Sequence, residues 1–247
     1  MIDAGGRERY VLKSSGLGIE SWIVRSPAQK DPDSAKNIIA IKFPGAAGRA
    51  ERGGPHPCEL WDDINAEIWT VNHAGYGGSS GKASLETFGD TCEDMFVFLK
   101  HNFPNDPILL IGNSLGCVSA LYIGARFEVA GLFLRNPVPL AHLIDGQSKY
   151  NWWNFGMAKH VADQVPVELD AIANGAQCEA PCFFVQSECD RVVPPKFQNM
   201  IVKEYAGPKS VYVLRGIDHH ESVPEDQQAD YASKLQWFGD RIFKEEK

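Results

Sequence analysis

From residue 84 onward the chain alternates two hydrophobic periods, and this alternation limits its fold more than any other feature. "SLETFGDTCEDMFVFLKHN" (84–102) sets Phe88, Cys92, Met95, Phe96 and Leu99 on one helical stripe. "PILLIG" then reads as a strand, "SLGCVSALYIGARF" as a helix and "AGLFLRNP" as a strand. The rhythm resumes with "PCFFVQS" as strand, "PKFQNMIVKEY" as helix, "SVYVLRG" as strand and a long final helix through "QADYASKLQWFGDRIF". Strands separated by helices of this length imply βαβ units and a mostly parallel sheet, and right-handed crossovers put helices on both of its faces.

Upstream, "RYVLKS" (9–14) and "ESWIVRS" (20–26) flank "SGLG" as an opening hairpin, and "NIIAIKF" (37–43) and "AEIWTVNH" (66–73) read as further strands. Between the last two, "CELWDDINAE" spaces Leu60, Trp61 and Ile64 as a helix would. The expected fold is a single α/β domain over residues 1–247, built on an eight-stranded, mostly parallel sheet. Residues 141–178 break the rhythm and are expected to form a short cap insertion over the edge where active-site loops emerge. Its aromatics Trp152, Trp153 and Phe155 would line an acyl or aromatic pocket, or pack the cap onto the core.

Composition narrows the partners. Hydrophobic residues make up 44% of the chain, enough for a sizeable core, and 24 Lys+Arg against 32 Asp+Glu give a net charge of −8. That balance argues against a nucleic-acid or anionic-membrane partner. The N-terminal "MIDAGGRERY" has no apolar signal stretch, and no apolar run approaches the length of a membrane span. The 6 cysteines form neither a CxxC pair nor a zinc-spaced set, which suits buried or incidental thiols. The reading is a soluble, cytoplasmic protein with no metal or cofactor.

Two segments match Gly-x-Ser-x-Gly: "GNSLG" around Ser114 and "GGSSG" around Ser79. A nucleophile elbow needs a strand that ends at the serine and a helix that starts directly after it, with small flanking residues because the turn is tight. Ser114 has that context. Ser79 does not, since "AGYGG" separates it from the preceding strand. A serine hydroxyl needs a base, and the base an orienting acid, in the order Ser, Asp or Glu, His along the chain. "SECDRVVPP" offers Asp190 and Glu188 after one later strand, and "GIDHHES" offers His219 and His220 after the last. The oxyanion donors would be the Leu115 amide and, from the glycine-rich turn "PGAAG", the Ala46 amide.

These motifs together resemble the α/β-hydrolase superfamily along nearly the whole chain. The resemblance implies Asp190 as the acid, through Glu-x-Asp-x-Val-x-Pro at 188–194, and His219 as the base, through Gly-x-x-His at 216–219. It also implies a structural role for the Gly75–Gly81 loop that contains Ser79. Pro44-Gly45 replaces the usual His-Gly, and Asn72-His73-Ala74-Gly75 replaces Asp-x-Arg-Gly, departures that bear on pocket shape. The expected activity is a serine hydrolase, a carboxylesterase or thioesterase acting on a small to medium acyl group through Ser114, Asp190 and His219. Amide or peptide hydrolysis by the same triad, and a non-catalytic receptor or interaction protein on this fold, are the alternatives. Arg49, Arg52 and His56 would either bind an acidic substrate group or belong to a solvated loop.

Overall fold

The computed structural model describes residues 6–14, 16–29, 35–148 and 162–243. Its strands are β1 (Glu8–Ser14), β2 (Leu17–Ser26), β3 (Lys36–Phe43), β4 (Ile64–Val71), β5 (Ile108–Asn113), β6 (Gly131–Arg135), β7 (Cys182–Ser187) and β8 (Lys209–Leu214). They form one 8-stranded sheet in the order β1-β2-β4-β3-β5-β6-β7-β8. β1 and β2 are antiparallel, as are β2 and β4, and every later pairing is parallel. The helices are α1 (Glu86–Asn102), α2 (Gly116–Gly124), α3 (Leu140–Ser148), α4 (Ala171–Gly175), α5 (Pro195–Glu204) and α6 (Glu225–Ile242).

Each central strand divides its side chains between two cores, because successive residues point to opposite faces of a sheet. Ile39, Ile41, Phe43, Leu110, Leu134 and Phe184 meet Met95 and Leu99 of α1, Val118 and Leu121 of α2 and Ile201 of α5. Ile38, Ala40, Leu109, Ile111, Phe133 and Phe183 meet Tyr231, Leu235 and Phe238 of α6 on the other face. Continuous apolar runs such as "NIIAIKF" follow from this double burial. The fully buried Phe238 packs 6.0 Å from both Trp61 and Phe183. Truncating a phenylalanine so enclosed costs about 3–5 kcal/mol.

One expected element is absent. The helix read at "CELWDDINAE" is a single 3-10 turn, Cys58–Leu60, and Ile64 already begins β4. Trp61 and Ile64 are buried in the α6-side core while Leu60 is exposed. The spacing recorded burial against that face, and strand pairing with β3 took the rest. In the 141–178 segment, Asp170 caps α4 by accepting from the Ile172 and Ala173 amides, and Leu169 and Ala171 pack into the core with α2. Trp152, Trp153 and Phe155 lie outside the described residues. Among the described residues, no helix is long and apolar enough to cross a membrane.

Candidate active site

β5 ends at Asn113, α2 begins at Gly116, and Ser114 between them has φ +52°. Side chains with a Cβ rarely take this left-handed conformation, so the turn is strained and must be held by its surroundings. The Ser114 amide donates to Arg135 O at 2.8 Å, and its carbonyl accepts from Cys117 N at 2.9 Å. A Cβ on Gly112 would stand 2.6 Å from Cys117 Cα, and one on Gly116 only 2.0 Å from Phe43 O. The glycines of "GNSLG" are therefore required by close backbone approach.

The second serine motif has another use. Ser79 is buried, donates its hydroxyl to Asn72 O at 2.6 Å and accepts from Glu20 N at 2.8 Å. Glu20 in turn accepts from Arg9 Nε at 2.5 Å, Gly78 N at 2.6 Å and Asn72 Nδ2 at 2.7 Å. Burial pushes its carboxyl up, but Arg9 and the two amides outweigh that and hold it below the ordinary value. Asn72, standing where the resemblance has an aspartate, shares the bracing with Glu20.

Asp190 follows β7 and His219 follows β8, and the two side chains meet. His219 Nδ1 lies 2.6 Å from Asp190 Oδ2, with both residues buried. Oδ2 also accepts from Gln198 Nε2 at 3.0 Å, while Oδ1 accepts from the Val192 and Val193 amides at 2.9 and 2.7 Å. An ionised Asp190 assigns the imidazole proton to Nδ1 and leaves Nε2 as an acceptor. Glu188 does not join this pair; its Oε2 accepts from Gly216 N at 2.8 Å. His220 is exposed and stands edge-on to His219, 4.7 Å between ring centroids.

Ser114, His219 and His220 line one open cleft of about 560 Å³. Among the described residues no hydrogen bond joins the Ser114 hydroxyl to the imidazole; such contacts often tighten only when substrate binds. Gly45 lies against the turn, where a Cβ would come 3.3 Å from Ser114 Cβ. Ala46 and Leu115 line a small hollow beside it, and neither main-chain amide has a hydrogen-bond partner among the described residues. Arg49 and Arg52 line the cleft as well. His56 does not: its ring nitrogens engage Glu59 at 3.2 Å and Tyr231 at 2.8 Å.

Two contributors carry no local sequence signal. Gln198, fully buried on α5, ties Asp190 to the Val193 carbonyl through its side-chain amide. Asn136, one residue past β6, has φ +50° and is fully buried. It links the β7 end to the histidine loop through Ser187 and the His219 main chain. His73 is a packing residue: it stacks 3.6 Å from Phe88, faces Ser119 Oγ at 3.1 Å, and burial lowers its pKa to about 3.

No protein-family model matches the chain. An uncharacterized protein of Mycobacterium tuberculosis is 27% identical over 161 residues, 64% of this chain and 54% of the relative. The human alpha/beta hydrolase domain-containing protein 17B is 30% identical over 81 residues, 32% of this chain and 28% of that protein. The chain thus spans about half the length, or less, of these curated relatives. Among solved structures, the acetyl xylan esterase of Paenibacillus sp. R4 superposes with a TM-score of 0.67 at 13% identity, covering 93% of this chain and 88% of the esterase. At that identity the likeness speaks for the fold.

Proposed function

The chain has the α/β-hydrolase fold, and from that premise we propose that it is a serine hydrolase cleaving a carboxylic ester or thioester through an acyl-enzyme. The observation that carries this reading is the buried Asp190–His219 pair at 2.6 Å, opening onto the same cleft as Ser114 on its left-handed turn.

In this mechanism Ser114 Oγ attacks the acyl carbon while His219 Nε2 takes its proton. Asp190 holds the imidazole by Nδ1 and stabilises the imidazolium that forms. The Leu115 and Ala46 amides receive the oxyanion, each such donor being worth about 3 kcal/mol in the transition state. Collapse of the tetrahedral intermediate breaks the bond to the alcohol or thiol, which leaves with the proton from His219. Water, deprotonated by the same imidazole, then attacks the acyl-enzyme and frees Ser114. The substrate is a small molecule with a small to medium acyl group. The 6 free cysteines, all but Cys189 buried, fit a reducing compartment such as the cytoplasm.

Labelling with a fluorophosphonate tests the reading. Intact-mass analysis should show one adduct, mapped to Ser114 and missing from Ser114→Ala. A wild-type protein that takes no label and turns over neither activated esters nor thioesters would sink it. A matched panel of oxygen and sulfur esters then ranks the two leaving groups.

A further inference from the structure

The carboxyl ends of neighbouring strands carry a polar row on the α6 side of the sheet. Thr70 of β4, Lys42 of β3, Asn113 of β5 and Arg135 of β6 continue the faces that bury Ile68, Ala40, Ile111 and Phe133 one pleat below. The register sets Lys42 beside Thr70 and Asn113 beside Arg135. All of them line the cleft that contains Ser114 and His219, and Arg49 and Arg52 border it from the crossover between β3 and β4. Among the described residues no Asp or Glu lines it, in a chain whose net charge is −8.

The row is poorly compensated within the protein. Lys42 Nζ donates to Gly54 O and His56 O, both at 3.0 Å, and no carboxylate contacts it among the described residues. Burial lowers its pKa, and Cys58 and Glu59 act on it only through space. Arg135 Nη2 donates to the Glu221 carbonyl, while its Nε is buried with no partner among the described residues; Tyr231 and Asp190 act on it only at a distance. The Thr70 hydroxyl, in a residue 2% exposed, also has no partner among the described residues. Of the outer pair, Arg49 meets Glu51 at 3.2 Å at an exposed position. Burying cations and a hydroxyl with donors to spare costs free energy that an anion placed among them would offset.

Resting on the serine-hydrolase reading, we infer that the substrate is an ester or thioester carrying a compact anion, a carboxylate or a phosphate, which seats on Lys42, Thr70 and Arg135 while its carbonyl reaches Ser114. The row then selects among substrates by charge, and the chemistry stays with the Ser114 turn.

The test compares the mono-4-nitrophenyl ester of adipic acid with its methyl ester, which keeps the chain and removes the charge. Wild-type kcat/KM should favour the acid by about tenfold or more, the size of one well-placed charge-assisted contact. That ratio should fall about tenfold in Arg135→Gln and Lys42→Met, and about threefold in Arg52→Gln, whose exposed position makes misfolding no escape. Lys234→Gln, on the exposed side of α6, should keep the wild-type ratio. Adipate and inorganic phosphate as competitors separate the two anions: the stronger inhibitor names the group, and inhibition by neither overturns the inference. So does a neutral ester hydrolysed as well as the acid. If no ester is turned over at all, calorimetry of adipate and phosphate on Ser114→Ala, with and without Arg135→Gln, reads the anion site by itself. Binding weakened by Arg135→Gln upholds the site, and absence of binding removes it.

Discussion

The side-chain amide of Asn136 donates at 3.1 Å to the main-chain carbonyl of His219, so the end of β6 holds the backbone of the candidate base. The same side chain reaches Ser187 Oγ at 3.2 Å and accepts from Ser187 N at 2.9 Å. Two strand ends and the histidine loop are thereby fixed to one another beneath the cleft. Asparagine also tolerates the left-handed backbone that this position requires.

Replacing Asn136 should therefore affect more than stability. Asn136→Ala leaves a buried amide and carbonyl unpaired and should cost about 2–4 kcal/mol by urea denaturation. Asn136→Asp keeps the acceptor for Ser187 N but turns an oxygen toward the His219 carbonyl. Well below its melting point, that variant should lose about tenfold in kcat with KM nearly unchanged. An unchanged kcat in a destabilised protein would reduce Asn136 to a packing role.

The turn at Ser114 should reject a single methyl group. Gly116→Ala forces a carbon against the Phe43 carbonyl and should cost about 3 kcal/mol or more, with loss of fluorophosphonate labelling. Gly54→Ala meets nothing within 4 Å and should change stability by less than about 0.5 kcal/mol. Equal effects of the two changes on melting temperature would contradict the close approach.

The two Gly-x-Ser-x-Gly serines should separate by phenotype. Ser79→Ala removes a hydroxyl bonded to Asn72 O and Glu20 N in a buried brace, and should cost about 1–3 kcal/mol while keeping the label on the other serine. Ser114→Ala should unfold near the wild-type midpoint and take no label. Reversed phenotypes would exchange the two roles.

His73 should tie stability to pH. Its folded pKa of about 3 lies below the ordinary 6.5, so the unfolded chain binds the extra proton between those values. Its contribution is complete above pH 6.5 and is lost progressively as pH falls toward 3. Between pH 6.5 and 5 the wild type should lose about 1.5 kcal/mol more than His73→Phe, read as paired urea midpoints. Parallel pH curves for the two proteins would mean that His73 is not buried neutral.

What the sequence disclosed depended on how local the cause was. The elbow was legible because strand, serine and helix are contiguous and the glycines are imposed by contacts within a few residues, apart from Gly116 against Phe43. Asp190 and His219 were legible as loop residues after strands, yet choosing them over Glu188 and His220 needed the family pattern. Asn136 and Gln198 were silent, since their contacts cross between strands and helices that no short window contains. Trp61 and Ile64 misled because burial against one face of a sheet can imitate helical spacing over so few residues, and the exposed Leu60 completed the pattern without sharing the burial. Lys42 gave a signal that was easy to pass over: one cation in the apolar run "NIIAIKF", in phase with Ile38 and Ala40.

The crossover between β3 and β4 has only two short 3-10 turns, and Lys42 anchors its middle by two main-chain carbonyls. It is held again at buried Ala50, whose amide donates to Asn72 Oδ1 at 3.1 Å, while Ala47, Arg49 and Arg52 are exposed. These fixed points set its length and leave its exposed side chains free to vary. Descendants or designed libraries can reshape the mouth of the cleft by substitution at those exposed positions, and the strand ends beneath it need not be redesigned.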